Sequence, residues 1–206
     1  MYLRPESRET KDEIIKDVLS PPRVRFAVCL LLIALLSPAA TFDLSNNAVD
    51  PFASEARVRV FLFARTDCPL THRYAPELQR LSREFGQNVQ FWIVYPDATE
   101  TGKTVEADFA QYSYPGKPLL DPHRDLVTRT GATIAPETVV FDSSGKLRYR
   151  GRIDDQWVDF GKARPAARVH DLENAIRAVL TGKPVPQPET RAVGCSLADA
   201  ASRPAP

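Results

Sequence analysis

Val58-Arg59-Val60-Phe61-Leu62-Phe63-Ala64-Arg65-Thr66-Asp67-Cys68-Pro69-Leu70-Thr71-His72 is the stretch from which the fold is read. Its first six residues are β-branched, aromatic or aliphatic apart from Arg59. Arg65-Thr66-Asp67 closes them with turn-forming residues, which predicts a buried strand. Asp67-Cys68-Pro69 then opens a helix, with Asp67 expected as the N-cap and Pro69 in the first turn. Leu70, Tyr74, Leu78, Leu81 and Phe85 recur at spacings of three and four, which gives that helix its buried face. Gly86 stops it.

Working outward, residues 89–94 read as a second strand and 104–112 as a helix. Residues 121–130 read as another helix, ended by Gly131. Residues 138–142 and 146–153 flank Ser143-Ser144-Gly145, a hairpin signal. A polar loop holding Trp157 and Phe160 leads to a last helix over 170–180. The Pro-rich segment 183–190 reads as extended. This order, β-α-β-α-(α)-β-β-α, predicts an α/β protein with a central mixed sheet flanked by helices. The expected organisation is an N-terminal signal or anchor region over 1–40, a linker over 41–57, the domain over 58–180, and a Pro-rich tail over 181–206 carrying Cys195.

The N-terminal region has the order of an export signal. Arg23 and Arg25 precede an unbroken apolar run over 26–36, and Ser37-Pro38-Ala39-Ala40 offers small residues for cleavage. The run is short of the roughly 20 residues that span a bilayer, although residues 24–42 could serve as a membrane tether. The expected location is therefore extracytoplasmic, soluble after cleavage or anchored. Of Cys29, Cys68 and Cys195, the first lies inside the apolar run, leaving an even pair in the folded part, and an oxidising compartment favours one disulfide. The first 40 residues hold six of the 27 basic and five of the 26 acidic side chains, leaving 21 of each. A balanced surface of that kind implies no nucleic-acid partner.

Three pieces together resemble the thioredoxin superfamily over residues 58–180: the strand and turn through Cys68-Pro69 to Tyr74-Ala75-Pro76-Glu77-Leu78; Ala135-Pro136-Glu137-Thr138; and Val140-Phe141-Asp142 through Gly145-Lys146-Leu147. Within it, the sequence looks most like the redoxin group, which includes alkyl hydroperoxide reductase/thiol-specific antioxidant relatives. The resemblance implies a thioredoxin-like fold, a redox-active Cys68, and a substrate loop at Ala135 and Pro136 with a cis bond between them. It also implies protein thiol or disulfide partners, or an external reductant, and no cofactor.

Thioredoxins carry a second cysteine three residues on, where this chain has Thr71. A disulfide formed at Cys68 must then be resolved by another thiol. Cys195 is fifteen residues beyond Leu180, a span of roughly 45 Å when extended, so it can reach Cys68 as a resolving cysteine or as half of a static disulfide. Asp67, Pro69 and His72 are candidates for supporting the Cys68 thiolate, since a helix N-terminus and a nearby imidazolium both favour an anionic sulfur. Against this stands cysteine's ordinary role as a small buried hydrophobe. Peroxiredoxins resemble this turn too, but they place an arginine where Pro136 stands, and here Arg65 and Thr66 lie three and two residues before the cysteine. Thiol–disulfide exchange is the expected activity, with a thiol peroxidase as one alternative. A non-enzymatic metal-binding or assembly protein is the other, since Cys68 and His72 echo the copper site of Sco-type chaperones. No metal site is assigned.

Overall fold

The computed structural model describes residues 41–198. The expected signal or anchor segment over 1–40 and the end of the tail lie outside the described residues. The central feature is a seven-stranded mixed sheet in the order β2-β1-β5-β4-β3-β7-β8. Its strands are β1 (Thr41–Phe42), β2 (Ala48–Val49), β3 (Val58–Phe63), β4 (Val89–Tyr95), β5 (Lys117–Leu120), β7 (Glu137–Asp142) and β8 (Leu147–Gly151). The parallel core β3-β4-β5 is extended by the antiparallel hairpin β7-β8 on one side and by β1 on the other.

Alternation along β3 divides the interior between the two faces of the sheet. Val58, Val60 and Leu62 join one cluster with Phe91, Ile93 and Tyr95. That cluster also takes Leu78, Leu81 and Phe85 from α2 (Ala75–Phe85), Val105 from α3 (Gly102–Gln111), and Leu172, Ala175 and Ile176 from α5 (Asp171–Leu180). Phe61 and Phe63 face the other way, with Trp92, Val94 and Leu119, under Leu126 and Val127 of α4 (Asp125–Thr130). Burial on both faces explains why β3 and β4 read as continuous apolar runs.

The helix expected from residue 69 onward is two helices. α1 (Pro69–Arg73) ends at Tyr74, and α2 starts again at Ala75. Pro76 is the reason: it has no N–H for the carbonyl four residues back, and its ring crowds that carbonyl. The helix expected over 121–130 starts later. Asp121 stays outside it and accepts the N–H groups of Asp125, Leu126 and Val127 with its buried carboxyl.

Residues 41–57, expected as a linker, are part of the fold. Thr41 is fully buried in β1, and Phe52 packs on Phe61 and Phe141 with ring centroids 5.2 and 5.1 Å away. Two-residue strands show no alternation long enough to read from sequence. Thr41 and Phe42 are also the last residues of the run weighed as a membrane tether. Among the described residues no helix is long and apolar enough to cross a membrane.

The Pro-rich segment, expected to be extended, bends over 186–188 and is docked. The Arg150 N–H donates to the Pro188 carbonyl, the Thr190 N–H to the Arg150 carbonyl, and the Tyr149 and Thr190 hydroxyls meet at 2.6 Å. Gly151 has φ of +148°, and a Cβ there would overlap Thr190. Glycine is what lets the tail run this close to β8. Trp157 in β9 (Trp157–Asp159), with β10 (Lys162–Ala163) beside it, packs against the first cluster, while Phe160 at the turn between them is exposed.

Candidate active site

Cys68 is the N-cap residue of α1, at the C-terminal end of β3, with its N–H donating to the Arg65 carbonyl at 3.1 Å. Asp67, expected at the cap, stands one residue before it and accepts from Arg65 Nε and Nη2, each at 2.9 Å. Pro69 holds the first helical position. Cys68 is fully buried, so the exposure that a helix-terminal thiolate relies on is absent while the surrounding segments are in place.

Two chain segments cover it. The first is the loop at β6 (Ile134–Ala135), where the Ala135–Pro136 peptide bond is cis and the Cys68 thiol donates to the Ala135 carbonyl at 3.0 Å. Glu137 fixes this loop by accepting the Thr133 and Ile134 N–H groups at 2.8 and 3.3 Å. The second is β11 (Cys195–Ser196), which pairs antiparallel with β6 so that Cys195 lies opposite Ala135 and Ser196 opposite Ile134. The Cys195 sulfur lies 2.6 Å from that of Cys68. Burial, and then the hydrogen bond to Cys68, push the Cys195 thiol above its ordinary value; Arg65 pulls the other way.

Backbone and side-chain contacts seat the tail at this point. Arg65 Nη1 donates to the Ser196 carbonyl at 2.6 Å, Arg124 Nη1 to the Leu197 carbonyl at 3.0 Å, and the Leu197 N–H to the Thr133 carbonyl at 2.9 Å. Leu197 is fully buried in the second cluster. Complete burial of a leucine side chain contributes roughly 1.5–3 kcal/mol. Gly194 lies against the loop so closely that a Cβ there would overlap the Ala135 carbonyl.

The sequence reading singled out Cys68, Cys195, Ala135 and Pro136, and the fold brings them together. His72 it places elsewhere. Its Nε2 meets Asp108 Oδ1 at 2.9 Å and its ring stacks on Tyr112 at 3.8 Å, while the Tyr95 hydroxyl donates to the other Asp108 oxygen at 2.8 Å. Burial raises the Asp108 carboxyl, with Tyr95 and His72 offsetting it. Thr71, at the position of the second thioredoxin cysteine, has a buried hydroxyl with no partner among the described residues. Among those residues one trio, Glu77, His170 and Glu173, brings donor atoms within 4.8 Å of one another. It stands on α2 and at the start of α5, and both its carboxylates already receive the Arg80 guanidinium.

Arg124, Glu137 and Leu197 went unnoticed in the sequence, as did the reach of Arg65 to the tail. Leu197 alone left a signal: it follows Cys195 by two, the spacing that puts both on one face of a strand.

The model of the AhpC/TSA family matches residues 37–150. The chain belongs to the AhpC/TSA family. That match includes Cys68 and Pro136 and stops before Cys195, so the docked tail lies beyond the part the family model covers. A hypothetical protein from Sinorhizobium meliloti 1021 is similar in structure, with 24% identity, a TM-score of 0.63, and 78% of this chain and 91% of that one covered. An uncharacterized conserved protein from Geobacillus kaustophilus gives 24%, 0.62, 78% and 89%. A secreted Mycobacterium tuberculosis disulfide oxidoreductase, homologous to E. coli DsbE, gives 18%, 0.50, 67% and 93%. These likenesses establish the thioredoxin-like fold. No curated protein matches the chain.

Proposed function

We propose that this AhpC/TSA member is an extracytoplasmic thiol–disulfide oxidoreductase, with Cys68 as the attacking thiol and Cys195 as the resolving thiol. The observation that carries this reading is the pairing of β11 on β6, which holds the two sulfurs 2.6 Å apart. Loss of the second cysteine of the turn to Thr71 fits a resolving thiol supplied from elsewhere in the chain. Export rests on the basic, apolar and small residues in succession over 23–40.

The exchange runs in two steps. The Cys68 thiolate attacks one sulfur of a partner's disulfide; a Cys68–partner bond forms, the partner's own bond breaks, and its other sulfur leaves as a thiolate and takes up a proton. Cys195 then gives up its proton to solvent and attacks the Cys68 sulfur. A Cys68–Cys195 bond forms, the bond to the partner breaks, and the partner departs with both sulfurs reduced. Two electrons have passed to the partner, and an external dithiol returns them by the same steps. Arg65 is the cation beside Cys195 that favours its thiolate in the second step.

A peroxidase would use the same thiol, going to a sulfenic acid that Cys195 condenses with to release water. The surroundings of Cys68 weigh against it. The Thr66 hydroxyl donates to Glu100 at 2.7 Å, the Arg65 guanidinium is held by Asp67 and Ser196, and position 136 is proline. The test is turnover of a protein disulfide under an external dithiol, compared with turnover of hydrogen peroxide. Faster disulfide turnover, lost in Cys68→Ser, supports exchange; turnover of peroxide alone overturns it.

A further inference from the structure

Cys195 shows one way in which a cysteine sulfur is brought up to Cys68. The tail therefore records one way in which a cysteine-bearing segment fits this groove, and three features of the fit are selective. The segment lies extended and antiparallel on β6. The residue before its cysteine meets the Ala135 carbonyl, where a side chain would overlap. The residue two beyond the cysteine enters the apolar cluster to which Phe61, Leu126 and Val127 also belong, where Leu197 is fully buried. Between them, Arg65 and Arg124 take the carbonyls of the two residues after the cysteine. Main-chain pairing of this kind supplies affinity for many sequences, and the pockets supply the choice among them.

We propose that the segments able to take the tail's place on β6 are extended protein segments with glycine before the reacting cysteine and a large apolar residue two after it, and that the tail is a tethered copy of such a segment. This rests on the reading of Cys68 as the attacking thiol. A partner must displace residues 193–197 to reach Cys68, because the sulfur is fully buried while they are seated. After attack, Cys195 returns to the Cys68 sulfur from the side opposite the partner's sulfur, the Cys68–Cys195 bond forms as the bond to the partner breaks, and the tail takes back its place on β6 as the partner leaves.

The test uses the full chain with Cys29→Ser and Cys195→Ser, with and without Gly194→Val to keep the tail from seating. The probes are three heptapeptides whose cysteine is in a mixed disulfide with a coloured thiol: Ala-Val-Gly-Cys-Ser-Leu-Ala, the same with valine for glycine, and the same with aspartate for leucine. Release of the coloured thiol reports attack by Cys68. The expected result is that the first peptide reacts at least tenfold faster than the other two in both proteins. It should also react faster in the Gly194→Val protein, where no tail competes. Equal rates for the three peptides, with the thiol reactive, overturn the substrate class and leave Cys68 as the attacking thiol. No reaction with any peptide or with a small aromatic disulfide overturns the exchange reading itself. Because the order of rates is read within each protein, a folding defect in the valine variant cannot produce it.

Discussion

Cys195 stands opposite Ala135 across an antiparallel pair, and the same Ala135 offers its carbonyl to the Cys68 thiol at 3.0 Å. One residue of the cis-proline loop thereby fixes the positions of both sulfurs. The two cysteines are brought together from 127 positions apart by a strand of two residues, not by a long interface.

The roles of the two thiols separate in single variants. Cys68→Ser should abolish disulfide turnover. In the Cys29→Ser background, Cys195→Ser should keep the first attack but accumulate the Cys68–partner mixed disulfide, since no other cysteine then remains in the chain to resolve it. Non-reducing electrophoresis and mass measurement of the adduct check both outcomes. Rapid partner release from Cys195→Ser would assign resolution to an outside thiol.

Arg65 holds the tail through the Ser196 carbonyl and is itself almost wholly buried. Hydrogen bonds from charged donors contribute roughly 1.5–3 kcal/mol. In a Cys195→Ser background, Arg65→Met should raise the rate of Cys68 alkylation by about ten- to a hundredfold. Arg65→Lys should recover only part of the protection, because one ammonium cannot serve Asp67 and Ser196 as the guanidinium fork does. An unchanged alkylation rate would mean that Arg124, Leu197 and the pairing of β11 with β6 seat the tail without Arg65.

The strand, the helical stretch that follows it and the hairpin were legible because each is long enough to show a period of two or of 3.6 residues. Cys68 and Pro136 were legible by position within that pattern. The seating of the tail was not. It depends on a pair of two-residue strands, on two arginines that reach carbonyls 131 and 73 positions away, and on one leucine. Apart from the spacing of two between Cys195 and Leu197, none of these has a local signature. The same holds for Thr41 and Phe52, whose burial is decided by the sheet edge and the far face of β3. The break at Tyr74 was announced by Pro76, but the apolar spacing runs through it unchanged.

His72 belongs to a buried network, His72–Asp108–Tyr95, that shares no hydrogen bond with the exchanging thiols. Asp108→Ala leaves the Tyr95 hydroxyl buried without its acceptor, which costs about 1–3 kcal/mol. Urea unfolding of the variant should show that loss, while the rate of Cys68 attack on a small disulfide changes less than threefold. A large fall in the attack rate at unchanged stability would instead tie the network to the thiol.

Glu100 gives a pH signature. Burial raises its carboxyl above the ordinary value of 4.5, against the hydrogen bonds from Thr66. The folded state therefore holds this proton more tightly than the unfolded chain. Its contribution is fully present below pH 4.5 and declines as pH rises through the folded value. Glu100→Gln cannot titrate, so the slope of stability against pH over this window should be shallower in the variant. Parallel slopes for the two proteins would remove Glu100 as the source.

The central claim is that Cys68 and Cys195 form one dithiol–disulfide couple. Equilibration of the Cys29→Ser protein with graded ratios of reduced and oxidised glutathione, followed by acid quench and peptide mapping, tests it most directly. A single two-electron transition, with peptides containing Cys68 and Cys195 linked in every oxidised monomer, is the predicted result. Two thiols that oxidise independently, each as a mixed disulfide with glutathione and never linked to the other, would contradict the account.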